Sequence, residues 1–169
     1  MEYAYSKYDK FYLTITYLLF TGAMCITLPF AVWALDPKLL LTGLLVIVVC
    51  TLGTNVGYHR LLTHKSFNTT PFWYNCLAFF GVYGTVAGPI GWVAIHLNHH
   101  RHLGTDNDPH TPWTTDNWFK AWLRTWLPIW MHMPEPDVKL LVSLKHLLEN
   151  KFIMFLHKWA PIQVYGTWL

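Results

Sequence analysis

The chain is 169 residues long, and 53% of its residues are hydrophobic whereas only 12% are charged. Soluble domains devote roughly a quarter of their residues to charge, and the mean hydropathy here is positive, so we expect an integral membrane protein surrounded by membrane lipid. The formal net charge of +3 is small and its basic residues are scattered, which argues against a nucleic-acid partner.

Two membrane-spanning helices are predicted near the N-terminus. No Asp, Glu, Lys, Arg or His occurs from Phe11 to Leu35, and crossing a hydrocarbon layer of ~30 Å takes roughly 20 helical residues. This run is too long for a signal peptide and lacks a convincing small-residue cleavage site. A polar turn follows at Asp36-Pro37-Lys38, and the uncharged run from Leu39 to about Asn55 predicts a second span. Together the two spans form a transmembrane helical hairpin.

The basic residues predict how this hairpin is oriented. Lys7 and Lys10 precede it, nine Lys or Arg residues follow it, and only Lys38 lies in its turn. Basic residues are enriched on the cytoplasmic side of membrane proteins. We therefore expect the N-terminus and the histidine motifs on the cytoplasmic side.

Histidine is concentrated in the middle of the chain, where seven of the ten histidines lie between positions 59 and 110. His96, His99 and His100 are three and four residues apart, so an α-helix would place their rings on one face. As structural residues, three polar rings beside a membrane would each need a separate partner. Metal ligation is therefore favoured over packing for this group.

His59 and His64 form a second histidine group. Their spacing of five residues corresponds to about 140° around an ideal α-helix, so they do not form a simple two-ligand face. The two rings serve different metals, or the helix is loosened between them. Beside the later group, this pair is also interpreted as metal ligands.

The uncharged segment from Phe72 to Ile95 could be read as a third span. Crossing the membrane would separate the two histidine groups by roughly 30 Å, whereas a metal–nitrogen bond is only about 2 Å long. A shared site therefore favours a helix in or near the interface, followed by a break at the glycines around Pro89.

Beyond residue 110 the pattern is amphipathic. Five tryptophans recur at spacings of four or five residues, at positions 113, 118, 122, 126 and 130, which favours a helix on lipid or on the hairpin over a cofactor site. A cytosolic helix is predicted from Val138 to about Glu149, and Phe152 begins a further apolar run. The predicted fold class is an all-α integral membrane protein with a transmembrane helical hairpin, cytosolic or interfacial helices carrying the histidine motifs, and the start of a further membrane helix at the C-terminus.

Three segments around the histidines have a specific pattern. They read Gly-Tyr-His-Arg-Leu-Leu-Thr-His-Lys-Ser-Phe at 57–67, Gly-Pro-Ile-Gly-Trp-Val-Ala-Ile-His-Leu-Asn-His-His at 88–100, and Thr-Asp-Asn-Asp-Pro-His at 105–110. This pattern resembles the membrane fatty acid desaturases of the acyl-CoA and Δ9 acyl-lipid type. The resemblance covers the hairpin, these segments and, more weakly, residues 138–159, so residues 1–169 are expected to form a single desaturase-like domain.

The resemblance implies a di-iron centre that uses dioxygen and two electrons to introduce a cis double bond into an acyl chain, with Δ9 the position that the type implies. It implies an acyl-CoA or acyl-lipid substrate and an electron donor such as a cytochrome or ferredoxin. Trp92 matches a family position that lines the acyl tunnel, although the sequence feature alone indicates a packing tryptophan. The implied metal ligands, about half of the histidines that the family uses, are His59, His64, His96, His99 and His100.

Two departures from the family pattern qualify this implication. Leu97 stands where the family usually has arginine. The third family motif, His-x-x-His-His, is absent, so the chain resembles an N-terminal portion that is incomplete at its C-terminus. A related fatty acid hydroxylase or alkane oxygenase, and a truncated non-catalytic lipid-binding membrane protein, are therefore alternatives.

Several residues around the motifs have two interpretations. Asp106 and Asp108 are candidate acceptors for a histidine N–H or solvated loop acids. Arg60, Lys65 and Arg101 could meet an anionic headgroup or thioester carrier, but a solvated basic rim is favoured. The remaining histidines are expected at the surface or interface, at positions 132, 146 and 157.

Overall fold

The structure is a computed structural model that describes residues 36–85, 88–105, 107–108 and 137–166, with isolated positions between 15 and 33 and at 119. Within these residues all regular secondary structure is helical. Most of the first predicted span and the tryptophan-rich segment lie outside the described residues.

Five α-helices and one π-helix make up the described part of the chain. They are α1 (Pro37–Leu52), a π-helix (Gly53–Thr63), α2 (Pro71–Thr85), α3 (Pro89–His102), α4 (Val138–Leu148) and α5 (Lys151–Gly166). Three of the starts have clear chemical causes. Asp36 accepts a hydrogen bond from the Lys38 amide at 2.8 Å, Asp137 accepts one from the Leu140 amide at 2.6 Å, and Asn150 accepts one from the Phe152 amide at 3.0 Å.

The second predicted span is a helix in the structure. Residues Pro37–Thr63 form a continuous helix of 27 residues that is long and apolar enough to cross a membrane. It extends beyond the predicted end near Asn55, because the π-helix continues α1 without a turn. Its most apolar part is almost entirely unburied within the described residues.

Glycines set the distance between this long helix and α2. Gly53 and Gly57 are four residues apart, and a Cβ atom on Gly57 would lie 2.6 Å from the carbonyl oxygen of Leu77. From the opposite side, a Cβ on Gly84 would meet the Cys50 carbonyl and Thr54. Small residues at four-residue spacing allow helix backbones to approach closely in membranes. The two helices therefore touch backbone to backbone.

A bend between α2 and α3 returns the chain toward the π-helix. The two helices meet at 78° across a short break, although together they are apolar enough to be one broken span. Gly88 precedes the helix start at Pro89. This agrees with the predicted break near Pro89. The bend places α3 beside the π-helix.

One apolar core joins the π-helix to α2–α5. Tyr58 and Leu62 contribute from the π-helix and Val82 from α2. Further large members include Val93 from α3, Leu140, Leu144 and Leu147 from α4, and Ile153 and Leu156 from α5.

The two C-terminal helices are each buried along one face. The predicted helix from Val138 is confirmed, and it ends at Leu148. The apolar run predicted from Phe152 is α5, whose residues Ile153, Leu156 and Ala160 pack into the core. Among the described residues, α5 is not one of the helices long and apolar enough to cross a membrane. Other apolar residues of this helix are exposed, among them Phe155, Trp159 and Ile162.

We predict that Gly57→Ala destabilises the folded chain by about 1–3 kcal/mol, the usual cost of overpacking. The added Cβ would lie 2.6 Å from a backbone oxygen of Leu77, and backbone cannot rotate aside as a side chain can. Gly43→Ala is the matched control, because nothing lies within 4 Å of its Cβ position. Thermal unfolding in detergent should separate the variants, and equal losses for both would contradict the backbone contact.

Candidate metal centre

The π-helix brings His59 and His64 to the same side. The His64 amide donates to the His59 carbonyl, five residues earlier, at 3.1 Å, and the Thr63 hydroxyl donates to the Tyr58 carbonyl at 2.8 Å. Such widened turns stack residues that are five apart. The His59 and His64 ring centroids are 4.6 Å apart. Their spacing allowed either separate metals or a loosened helix, and the structure shows a loosened helix.

Two histidines of α3 face this pair. The His96 ring lies 4.8 Å from the His59 ring, and the His100 ring lies 4.9 Å from the His64 ring. The Nε2 atoms of His96 and His100 are 3.1 Å apart. One potential ligand nitrogen from each of the four side chains lies within 4.8 Å of the other three. We call these four residues the ring cluster.

The ring cluster has the dimensions of a metal site. Each metal–nitrogen bond is about 2 Å long, so nitrogens around one ion are at most about 4 Å apart. The four nitrogens, all within 4.8 Å of one another, are close to that separation. Neutral imidazole nitrogens suit zinc, copper, iron and nickel, so the donor set fits a transition metal without selecting one.

His99 lies outside the ring cluster and contacts an acid. Its Nδ1 is 2.6 Å from Oδ1 of Asp108, whose side chain is almost fully buried. The other carboxylate oxygen of Asp108 accepts the Gly104 amide at 3.1 Å, and Gly104 has a left-handed backbone with φ of 75°, a conformation that glycine adopts easily. Because a carboxylate only accepts, Nδ1 of His99 donates, and Nε2 becomes the nitrogen suited to a metal.

Of the two acidic residues near the motifs, the structure describes Asp108. Asp108 acts as an acceptor for a histidine, one of the two roles considered for it, and is not a solvated loop acid. Asp106 lies outside the described residues.

Trp92 covers one side of the ring cluster. Its ring stacks on His96, with centroids 4.8 Å apart and an angle of 23° between the planes. The ring of Tyr58 is 5.7 Å from the Trp92 ring, and Tyr58 is fully buried. A Cβ on Gly81 would overlap the Tyr58 ring. Trp92 therefore has both a packing contact and a place next to the cluster.

The surroundings favour the neutral form of two cluster histidines, His96 and His64. Burial, together with repulsion from the His100, His59, His64 and His99 rings, lowers the pKa of His96 to about 3. Burial and the neighbouring His59 and His100 rings also lower the pKa of His64. Metals bind the deprotonated nitrogen, so these shifts reduce proton competition at neutral pH.

His146 is one of the three histidines expected at the surface or interface. This side chain is half-buried, and its Nε2 lies 3.1 Å from the Leu62 carbonyl oxygen of the π-helix. Both α4 and the π-helix contribute residues to the shared core. His157 is also partly buried, and the backbone of Gly88 lies against it. His132 lies outside the described residues.

The basic residues near the cluster differ in their surroundings. Arg60 and Lys65 are exposed, as expected for a solvated rim. Arg101 instead contacts Asp137 at 3.2 Å, which links the end of α3 to the start of α4.

The family model for fatty acid desaturases matches residues 37–169. The chain belongs to the fatty acid desaturase family. This confirms the resemblance based on the three sequence segments. No solved structure matches the chain.

Named relatives are similar over parts of the chain. The sn-1 stearoyl-lipid 9-desaturase of Anabaena variabilis is 46% identical over 59 residues, which are 35% of this chain and 22% of the relative. The Delta-9 acyl-lipid desaturase 1 of Arabidopsis thaliana is 36% identical over 95 residues, 56% of this chain and 30% of the relative. The Acyl-CoA C20 Delta5-desaturase of Anemone leveillei is 29% identical over 99 residues, 58% of this chain and 32% of the relative. The chain thus spans less than a third of these relatives.

We predict that the metal-free chain is less stable at about pH 5 than at about pH 7, because the unfolded state binds more protons in this range. The ordinary pKa of histidine, 6.5, falls to about 3 for folded His96. The contribution of neutral His96 to stability is therefore complete above the pKa that His96 has in the unfolded chain. It is lost as the pH falls through the pKa that His96 has in the folded chain. Thermal unfolding in detergent should show this difference, and His96→Phe should reduce it. An unchanged stability difference between the two pH values in His96→Phe would contradict the assignment of this effect to His96.

Proposed function

We propose that this chain provides metal ligands of an oxygen-dependent di-iron fatty acid desaturase that introduces a cis double bond, at Δ9, into an acyl chain. The observation that carries the proposal is the ring cluster, in which one potential ligand nitrogen from each of four histidines lies within 4.8 Å of the others. Two of these histidines come from each motif. We further propose that residues 1–169 act as one desaturase-like domain.

The five predicted ligands have two roles in this proposal. The four residues of the ring cluster, His59, His64, His96 and His100, would hold one iron. His99, turned by Asp108, would present Nε2 to a second iron. Non-haem iron with open coordination positions would supply activation of dioxygen. Identifying the metal as iron rests on membership of the family, because imidazole ligands alone do not select it.

The chain's own residues supply an apolar and ordered surrounding. Trp92 stacks on His96 on one side, and the ring of buried Tyr58 lies 5.7 Å from the Trp92 ring. An aromatic wall of this kind excludes water and suits a hydrocarbon substrate better than a polar one. We assign Trp92 to substrate binding on this basis.

The membrane would deliver the acyl substrate to the cluster. The apolar part of Pro37–Thr63 is largely unburied in the described residues, and such surface is favourable against lipid and costly in water. Because the π-helix continues this span, the cluster lies at its end. We place this end and the N-terminus on the cytoplasmic side, since basic residues flank the hairpin.

Charge near the cluster suggests where partners could bind. Exposed Arg60 and Lys65 lie beside His59 and His64 in the chain and would attract an anionic headgroup, a thioester carrier or an acidic electron donor such as a cytochrome or ferredoxin. Two of the relatives are named as lipid desaturases and one as an acyl-CoA desaturase. Both acyl-lipid and acyl-CoA are therefore substrates to test.

We predict that His100→Ala weakens iron binding by more than about tenfold. Loss of a group that only hydrogen-bonds to a metal ligand already costs about that much. His100 supplies one of the four cluster nitrogens. His102→Ala is the matched control on the same helix, since the His102 ring contacts the Asn98 carbonyl at 3.2 Å and is not in the cluster. Iron per protein should be measured by mass spectrometry after dialysis. Equal iron content in both variants would overturn the ligand assignment.

We predict that expression of the gene in cells lacking their own Δ9 desaturase produces new cis monoenes. Gas chromatography with mass spectrometry of total fatty acids measures the product and locates its double bond. His59→Ala should abolish the product because it removes a cluster nitrogen. New hydroxy acids would instead indicate an oxygenase, and an unchanged profile in cells containing the membrane-inserted protein would indicate a non-catalytic lipid-binding role.

A further inference from the structure

The π-helix receives a hydrogen bond from a residue 84 positions later in the chain. Nε2 of His146, on α4, lies 3.1 Å from the carbonyl oxygen of Leu62. A carbonyl oxygen only accepts, so the imidazole donates. Leu62 lies between His59 and His64, inside the segment that carries half of the ring cluster. His146 belongs to neither histidine motif.

We propose that His146 is a positioning residue that fixes the last turn of the π-helix and thereby holds His64 in the ring cluster. The effect on metal binding rests on the function proposed above, whereas the effect on ring position does not. The proposal assigns His146 no contact with metal or substrate.

The end of the π-helix explains why this carbonyl needs a donor from elsewhere. The last carbonyls of any helix lack partners within the helix. After Thr63 the chain turns away, because Lys65 has a left-handed backbone with φ of 49°. The Ser66 amide then returns to the Arg60 carbonyl at 3.0 Å. His146 satisfies the Leu62 carbonyl in this otherwise incomplete turn.

Positions in the ring cluster depend on the widened turns. In an ordinary α-helix His59 and His64 would be separated by about 140° around the axis, whereas here their ring centroids are 4.6 Å apart. Long π-helical stretches are rare and are associated with functional sites. Loss of the His146 hydrogen bond should let the last turn relax and move the His64 ring.

The helix α4 is suited to hold this hydrogen bond because both its ends are anchored. Leu144 and Leu147, on either side of His146, are buried in the core. At the other end, Asp137 caps α4 and contacts Arg101, the residue that follows His100. The helix therefore bridges the two segments that supply the ring cluster.

Two amide variants separate this role from general packing. The amide nitrogen of glutamine reaches about as far as Nε2 of histidine, whereas that of asparagine is one methylene shorter. His146→Gln should therefore keep the hydrogen bond, and His146→Asn should lose it. Leu140→Ala is the control for stability, because Leu140 is buried on α4 but lies almost two turns from His146.

The first readout is Co²⁺, whose absorption spectrum reports ligand geometry. Purified chain in detergent is titrated with Co²⁺ alone. We expect His146→Asn to lower the affinity by about tenfold, the lower end of the effect of groups that orient metal ligands, and to change the spectrum. His146→Gln should resemble the wild type, and Leu140→Ala should lower the unfolding temperature without changing the spectrum. A wild-type spectrum and affinity in His146→Asn would overturn the proposal.

The second readout needs no metal. Nuclear magnetic resonance of the metal-free chain with ¹⁵N-labelled histidine should show altered His59 and His64 ring signals in His146→Asn but not in His146→Gln. Unchanged signals in both variants would overturn the positioning role even if metal binds. Failure of the wild type to bind Co²⁺, with altered ring signals in His146→Asn, would count against the proposed function and still support the positioning role.

Discussion

The widened helix Gly53–Thr63 is the constraint on which the candidate site depends. Its hydrogen bonds join residues five apart, and this places His59 and His64 on the same side. The glycines of this segment let its backbone lie directly against α2, so that close packing holds an otherwise uncommon helix. The packing that holds this helix therefore also sets the positions of His59 and His64.

The second half of the ring cluster depends on the chain turning back. The bend of 78° between α2 and α3 returns His96 and His100 to the end of the π-helix. Hydrophobic residues of every described helix after α1 meet in one core, and this core fixes α3 against the π-helix. The apolar segment from Phe72 to Ile95 therefore serves to connect two ligand groups at one place.

Polar contacts then set the orientation of individual rings. Asp108 directs His99 away from the cluster, His146 holds the carbonyl at the end of the π-helix, and Asp137 connects α4 to α3 through Arg101. Each contact joins a histidine-bearing segment to a residue outside the two motifs. The chemistry of the proposed site thus depends on loops and helices that contribute no cluster ligand.

The sequence by itself determined the helical and apolar character of the chain, the break near Pro89, the helix from Val138, the two histidine groups and the family, because hydropathy, helical spacing and motifs are local properties. Only the tertiary structure decided that His59 and His64 share a widened helix with one face toward α3, that His99 pairs with Asp108, and that His146 reaches the Leu62 carbonyl. The spacing of His59 and His64 allowed either of two arrangements, and packing against α2 and α3 selected one. The partner of His146 lies 84 residues away, and no local pattern encodes a contact over that distance.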